Sequence, residues 1–289
     1  MQTSPVAPRV VLSALLVVAL ACSSSSDRPT KGSGSAVWGA AADVAALTTD
    51  EREALRGAGV GEAFLEAGRL EEGSTTIEPA LSGLDGVAAA RFPVTLVVGG
   101  AWPARSGEEA GTELAGELRR LRLGAEEAGV TVVGYHLDLL PPTGDAALER
   151  YAAALGAVAA AVDAGIFLSV SLDAATLGKE GVAQVADAVD FAVAFLYGPR
   201  SDDGPGAVGD EAWSLADLGP RFARLDELGL RFLVGVGTIG QMAHLDGDGN
   251  LVEVTTEADL PSLFGRRGLG LPRADFLDVL DRQSYRLQA

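Results

Sequence analysis

Seven short β-type runs punctuate the chain: AVWG (36–39), EAFLEAG (62–68), PVTLVVGG (93–100), VTVVGYHLDLL (130–140), IFLSVSLD (166–173), FAVAFLYG (191–198) and RFLVGVGT (231–238). An eighth lies less clearly within ADFLDVLDRQSY (274–285). Their starts fall roughly 25–45 residues apart, the length that a strand, a helix and two loops need. Between them apolar residues return at helical spacing: Leu114, Leu118, Leu121 and Ala125, then Leu148, Tyr151, Leu155, Val158 and Val162. Each set draws one stripe suited to packing on a sheet. Gly closes several of the helices, in EEAGV (126–130), VDAGI (162–166) and DELGL (226–230), where a left-handed residue ends the turn. Eight such units predict an α/β fold, a (β/α)8 TIM barrel forming a single domain over residues 36–289. An open doubly wound sheet shares the alternation.

The start of the chain is different. Residues 1–21 combine Arg9 with an apolar run from Val10 to Ala21, and ALAC (19–22) ends in the only cysteine. That is a secretory signal, too short for a stable transmembrane span. ALAC resembles the bacterial lipobox, cut before a Cys that then carries lipid, although an ordinary signal cut after Ala19-Leu20-Ala21 fits the same residues. A remainder without cysteine favours lipidation of Cys22. SSSSDRPTKGSGS (23–35) holds no apolar side chain and reads as a flexible tether. Together, 1–21 form a lipoprotein signal peptide, 22–35 the lipidated Cys and its tether, and 36–289 the barrel. The expected location is the cell envelope, on the outer membrane, because Ser23 stands where an inner-membrane retention Asp would be. A net charge of −18 and no basic run exclude nucleic acid as a partner. Protein partners are not legible.

Parity sorts the strands, because alternate side chains face opposite sides. In 130–140, Val133, Tyr135, Leu137 and Leu139 suit the helix layer, leaving Val132, Gly134, His136 and Asp138 inward. In 166–173, Leu168, Val170 and Leu172 face the helices, and Ser169, Ser171 and Asp173 face the lumen. Phe195 and Tyr197 share a parity in 191–198. Barrel sites form at the C-terminal strand ends, so Asp138, Asp173 and Tyr197 are expected to converge there. Asp138 also suits a cap on the Pro-Pro turn that follows, and Asp173 an N-cap. His136, one layer deeper, reads as a neutral hydrogen-bonded histidine. Trp38 and Trp102 end or follow strands on the same side, where aromatic faces suit either sugar rings or packing. Arg200 falls at the rim.

Two motifs lose on context. GVGTIG (235–240) fits G-x-G-x-x-G after a strand, but only QMAHL follows before the turn DGDGN, so no helix completes a dinucleotide site. In DGDGNLVEVTTE, Asp246, Asp248, Asn250 and Glu257 match a calcium loop, yet Leu251 occupies the position that needs Gly. HLDGDGNLVEV reads better as a β-hairpin. With His136 and His244 the only histidines, no two-His metal spacing exists. No cofactor and no metal are expected.

VVGG (97–100), VGYHLDLL (133–140) and FLY (195–197) resemble, in order and strand position, three motifs of glycoside hydrolase family 18, the chitinase-like TIM barrels. Those motifs are S-x-G-G on the third strand, D-G-x-D-x-D-x-E on the fourth and M-x-Y on the sixth. The resemblance spans roughly residues 90–240. It implies that Gly134 matches the family's Gly, Asp138 its last aspartate and Tyr197 the tyrosine that positions an acetamido group. Val133 and His136 replace two aspartates, and Leu140 stands at the catalytic Glu. An uncharacterised bacterial family, domain of unknown function 3142, is similar around strand four and the hairpin after strand seven.

The expectation is a lipid-anchored, glycoside-hydrolase-like barrel that takes a carbohydrate ligand. Asp138 and Asp173 are the candidate catalytic carboxylates. His136, Tyr197, Trp102, Trp38 and Arg200 are the candidate substrate-binding groups. The alternative is a non-catalytic glycan-binding or envelope-assembly lipoprotein. Replacing Cys22 by Ala is expected to move the protein from the membrane to the soluble fraction on cell fractionation; equal retention would remove the anchor.

Overall fold

The computed structural model describes residues 15–18, 35–71, 73–102, 107–140, 144–172, 174–195, 220, 223–236, 240–245, 251–258, 275–278 and 283–288. The chain divides into two compact units, one of Leu15–Asp202 with Asp210–Val236, the other of Met1–Ala14, Asp203–Gly209 and Gly237–Ala289.

The sheet of the first unit is built from β1 (Leu15–Val18), β2 (Ser35–Ala40), β3 (Val60–Leu70), β4 (Ile77–Pro79), β5 (Val94–Ala101), β6 (Val132–Leu140), β7 (Phe167–Leu172), β8 (Phe191–Phe195) and β9 (Phe232–Val236). β2, β3, β5, β6, β7, β8 and β9 pair parallel in that order. β1 lies antiparallel between β2 and β9 and closes the ring. The result is an α/β barrel in which seven strands are parallel and the eighth position is reversed. β4 adds an antiparallel flap to the end of β3.

Strands covered on both faces read as unbroken apolar runs. Val94, Leu96, Val97 and Val98 of β5 are all buried, and so are Tyr135, Leu137 and Leu139 on the outward side of β6. The covering layer includes α1 (Ala41–Ala46), α2 (Thr49–Gly57), α3 (Leu84–Ala90), α4 (Glu108–Glu127), α5 (Asp145–Ala161), α6 (Ala174–Leu177) and α7 (Val182–Asp187). The stripe Leu114, Leu118, Leu121 and Ala125 is the buried side of α4, and Leu148, Tyr151, Leu155 and Val158 that of α5. α2 starts on a capping box, with Thr48 and Glu51 satisfying each other's backbone N–H. Gly129 and Gly229, which end helices, take φ of 84° and 59°, the left-handed region expected of them; Gly165, at φ 90°, does not end α5, whose cap is the extended Val162, but sits in the turn that follows, where the Ile166 N–H reaches the Asp163 carbonyl.

In the second unit, β10 (Gly240–Leu245), β11 (Leu251–Ala258), β12 (Asp275–Asp278) and β13 (Gln283–Gln288) form an antiparallel sheet in the order β11-β10-β13-β12. Two sequence readings meet this sheet. The hairpin is present, with His244 opposite Glu253, and a strand occupies Gly240–Leu245 where a dinucleotide site needs a helix. Among the described residues of 274–285, however, no strand joins the barrel sheet: Asp275–Asp278 pairs antiparallel with β13 instead. The reason is compositional. A strand of a parallel barrel is apolar on both faces, and this segment carries Asp275, Asp278, Asp281 and Arg282.

Gly111 sets how closely α4 approaches α5, since a Cβ there would lie 2.2 Å from the carbonyl oxygen of Ala154. Gly116, on the exposed side of the same helix, has nothing within 4 Å of a Cβ. Gly111→Ala is therefore expected to destabilise the protein by about 1–3 kcal/mol, and Gly116→Ala to stabilise it by up to about 1 kcal/mol through helix propensity alone. Denaturant unfolding of the two variants tests the opposite signs.

Candidate functional site at the barrel mouth

The lumen follows from register. Val97 lies opposite His136, His136 opposite Ser169, and Ser169 opposite Phe191. Of these, Val97 and Phe191 join Ala36, Trp38, Phe64 and Val193 in one buried hydrophobic cluster. Trp38 stacks on Phe64 with ring centroids 5.4 Å apart and planes 12° from parallel. His136 stands edge-on to both, at 5.0 Å from Trp38 and 5.4 Å from Phe64. Gly134, one step below, leaves its space to Thr95: a Cβ would sit 2.9 Å from the Thr95 hydroxyl.

His136 is 0% exposed, so its two ring nitrogens need partners inside the protein. Nδ1 lies 2.9 Å from the Ser169 hydroxyl and Nε2 2.9 Å from the Ser171 hydroxyl. Ser169 also reaches the carbonyl of Tyr135 at 3.2 Å. Ser171 donates to Asp138 Oδ1 at 2.6 Å. A continuous hydrogen-bonded line therefore runs from the backbone of β6 through Ser169, His136 and Ser171 to the Asp138 carboxylate. With both nitrogens so engaged, the imidazole offers no lone pair to a metal. Among the described residues no three His, Cys, Asp or Glu side chains gather as a metal set.

Asp138 stands half-buried near the C-terminal end of β6. Burial pushes its carboxyl above the ordinary carboxylate range, and the hydrogen bond from Ser171 pulls part of the way back. Tyr151, buried on α5, has its phenol pushed up by burial and further by the Asp138 charge. On the outward side of β6, burial pushes the Tyr135 phenol up to about 12.

The structure brings His136 and Asp138 together on the inward face of β6, joined through Ser171. Trp38, expected at the mouth, is instead 8% exposed in the lumen and packed on Phe64 and His136. Trp102 packs on Tyr151, centroids 5.0 Å apart, and its indole N–H is buried with no acceptor among the described residues. Asp173, Tyr197, Arg200 and Cys22 lie outside the described residues. Parity placed Ser169 and Ser171 in the lumen without a role. The signal for one was present in H-x-D on one strand beside S-x-S on the next, which puts two hydroxyls in reach of a ring and a carboxylate. Glu62, also without a role in the sequence reading, accepts a hydrogen bond from the Thr95 hydroxyl deeper in the lumen. A groove of about 510 Å³ between Pro79, Leu81, Arg119 and Leu123 lies on the helix layer rather than at the mouth.

No family model matches the chain, and no curated protein does. Solved structures match by shape. The spore cortex-lytic enzyme SleL of Bacillus cereus superposes with a TM-score of 0.58 at 12% identity, over 84% of this chain and 61% of that one. A chitinase from Bacteroides thetaiotaomicron gives 0.53 at 9%, over 74% and 71%. The chain thus spans about three fifths of the length of the cortex-lytic enzyme. At such identities the likeness shows the fold, a (β/α)8 barrel.

The Asp138 shift has a stability consequence. Between the unfolded carboxyl value of about 3.9 and the raised folded one, the folded state holds the extra proton, so stability falls as pH rises through that window and is level above it. Asn at 138 can still accept from Ser171 and has no proton to lose. Urea unfolding at a series of pH values is expected to show wild type losing stability relative to Asp138→Asn as pH rises from about 4; parallel curves would refute the shift.

Proposed function

We propose that the protein is a lipid-anchored barrel of the cell envelope, held by Cys22 on the outer membrane after residues 1–21, β1 among them, have been removed so that β2 and β9 become the edges of the mature sheet, and that its mouth binds a carbohydrate through Asp138. The observation that carries this reading is the Asp138 carboxyl itself, half-buried at a C-terminal strand end, desolvated, and fixed by Ser171 at 2.6 Å. Such a group presents a directed oxygen to a sugar hydroxyl and keeps its proton to higher pH than a solvated aspartate does. Support comes from the fold, shared with a cortex-lytic enzyme and a chitinase, and from the ordered resemblance of VVGG, VGYHLDLL and FLY to family 18. In this reading Asp173, Tyr197 and Arg200 complete the rim, and the first two supply the second carboxylate and the acetamido contact. A separation of the two carboxylates near 5 Å corresponds to retention of anomeric configuration, and one of about 6.5–9.5 Å to inversion.

A second reading separates binding from turnover, and a specific residue favours it. Family 18 hydrolysis needs a Glu that protonates the departing oxygen while the substrate's acetamido group attacks the anomeric carbon. That position here is Leu140, the last residue of β6. Leucine has no proton to give, and a positioned acid is worth about 10²–10⁴ in rate. Pure protein incubated with chitin oligosaccharides, followed by calorimetry for binding and chromatography for products, is expected to bind without family-18 turnover. Asp138→Asn is expected to weaken binding about tenfold, the loss of one charge-assisted hydrogen bond of roughly 1.5 kcal/mol. Robust turnover abolished in Asp138→Asn would make Asp138 the acid of a working hydrolase. Failure to bind chitin or spore-cortex glycan fragments would end the carbohydrate reading.

A further inference from the structure

We propose that Ser171 and His136 are positioning residues for Asp138, the three forming one proton-coupled unit in which loss of the Asp138 proton moves the ring proton of His136 from Nδ1 to Nε2. The argument is a count of hydrogens along contacts of 2.6, 2.9, 2.9 and 3.2 Å. Ser169, Ser171 and a neutral imidazole each own one hydrogen to donate. With Asp138 protonated, its hydroxyl donates to Ser171, Ser171 donates to Nε2, Nδ1–H donates to Ser169, and Ser169 donates to the Tyr135 carbonyl. Every group in the line then has a partner. Once the carboxyl has given up its proton it can only accept, so the Ser171 hydroxyl turns toward it. Nε2 now faces an oxygen with no hydrogen to offer and must carry the ring proton itself. Nδ1 becomes the acceptor, and Ser169 turns to donate to it.

The balance is simple. One proton leaves the unit, from Asp138; the ring keeps one proton and changes the nitrogen that holds it; two hydroxyls rotate; no heavy atom has to move. The competing arrangement, an imidazolium beside an ionised Asp138, contains the same number of protons as the neutral pair. It places a cation at 0% exposure between Trp38 and Phe64, where desolvation opposes it.

Among the described residues, other ionisable groups face this unit from two elements, α5 and β3. Tyr151 on α5 feels the Asp138 charge. Glu62 on β3 sits deeper, holding the Thr95 hydroxyl of β5. Glu66, two residues beyond Phe64 on the same strand, is exposed. Among the described residues of β2 and β8, the inward neighbours Trp38, Phe191 and Val193 carry no charge.

The test requires no sugar, so it succeeds or fails independently of the carbohydrate reading. The chain has two histidines, and the full-length protein with His244→Gln leaves His136 as the only imidazole. Two-bond proton–nitrogen spectra of the 15N-labelled protein, recorded from pH 3.5 to 8 beside the Asp138 carboxyl carbon signal, report which nitrogen is protonated. The expected result is Nδ1–H at low pH and Nε2–H at high pH, with one midpoint shared with Asp138. Ser171→Ala is expected to hold the ring in one tautomer across the carboxyl titration, and Ser171→Thr, which keeps the hydroxyl, to restore the switch. A wild-type ring that keeps one tautomer throughout would overturn the proposal. So would a ring bearing both protons at the Asp138 midpoint, or a switch that survives Ser171→Ala. Should Ser171→Ala fail to fold, the wild-type and Ser171→Thr spectra decide.

Discussion

In a closed parallel barrel each strand is covered on both sides, and every residue must therefore suit either the lumen or the helix layer. On this constraint the rest of the structure depends. It makes Tyr135, Leu137 and Leu139 one buried set and Gly134, His136 and Asp138 another, on the same nine residues of β6. A slip of one residue would send an imidazole and a carboxylate into the apolar helix layer, where neither Leu168 nor Val170 of the adjoining strand offers a side-chain hydrogen bond.

An imidazole in the lumen is tolerable only because β7 meets it with two hydroxyls. A buried donor or acceptor left without a partner costs about 1–3 kcal/mol, and both ring nitrogens are served at 2.9 Å. Serine is the side chain that fits this duty. Its hydroxyl donates and accepts from one atom, so it bridges a ring nitrogen to a carboxylate or to a backbone carbonyl without a second polar group being buried. Lines of hydrogen bonds polarise one another in a low-dielectric interior, which ties the state of Asp138 at the mouth to groups one layer below it.

Much of this was legible in the sequence, for physical reasons. The period-two alternation of VTVVGYHLDLL and IFLSVSLD named the inward residues, because burial on both faces leaves polar side chains few places to go. The helical stripes and the glycines ending EEAGV, VDAGI and DELGL gave the βα rhythm. Other features were not legible. Trp102 comes one residue after β5, where strand parity no longer governs direction, and it turns onto Tyr151. The apolar run Leu15–Val18 pairs with β2 and β9, a pattern that suits a signal and a strand alike, whereas the Asp-bearing stretch Asp275–Asp278 pairs in an antiparallel sheet. The contact between Ser171 and Asp138, 33 residues apart in the chain, needed the relative register of two strands, which no local pattern encodes.

Trp38, Phe64 and His136 fill the barrel to just beneath Asp138. Among the described residues the lumen is thus filled to that level, a shallow dish and not a shaft. Under the proposed reading, a molecule resting there would touch the carboxylate from above and go no deeper, so a long chain could lie across the mouth without presenting a free end. Discrimination between one such chain and another would then fall to what projects around the dish, because depth offers nothing to measure length against.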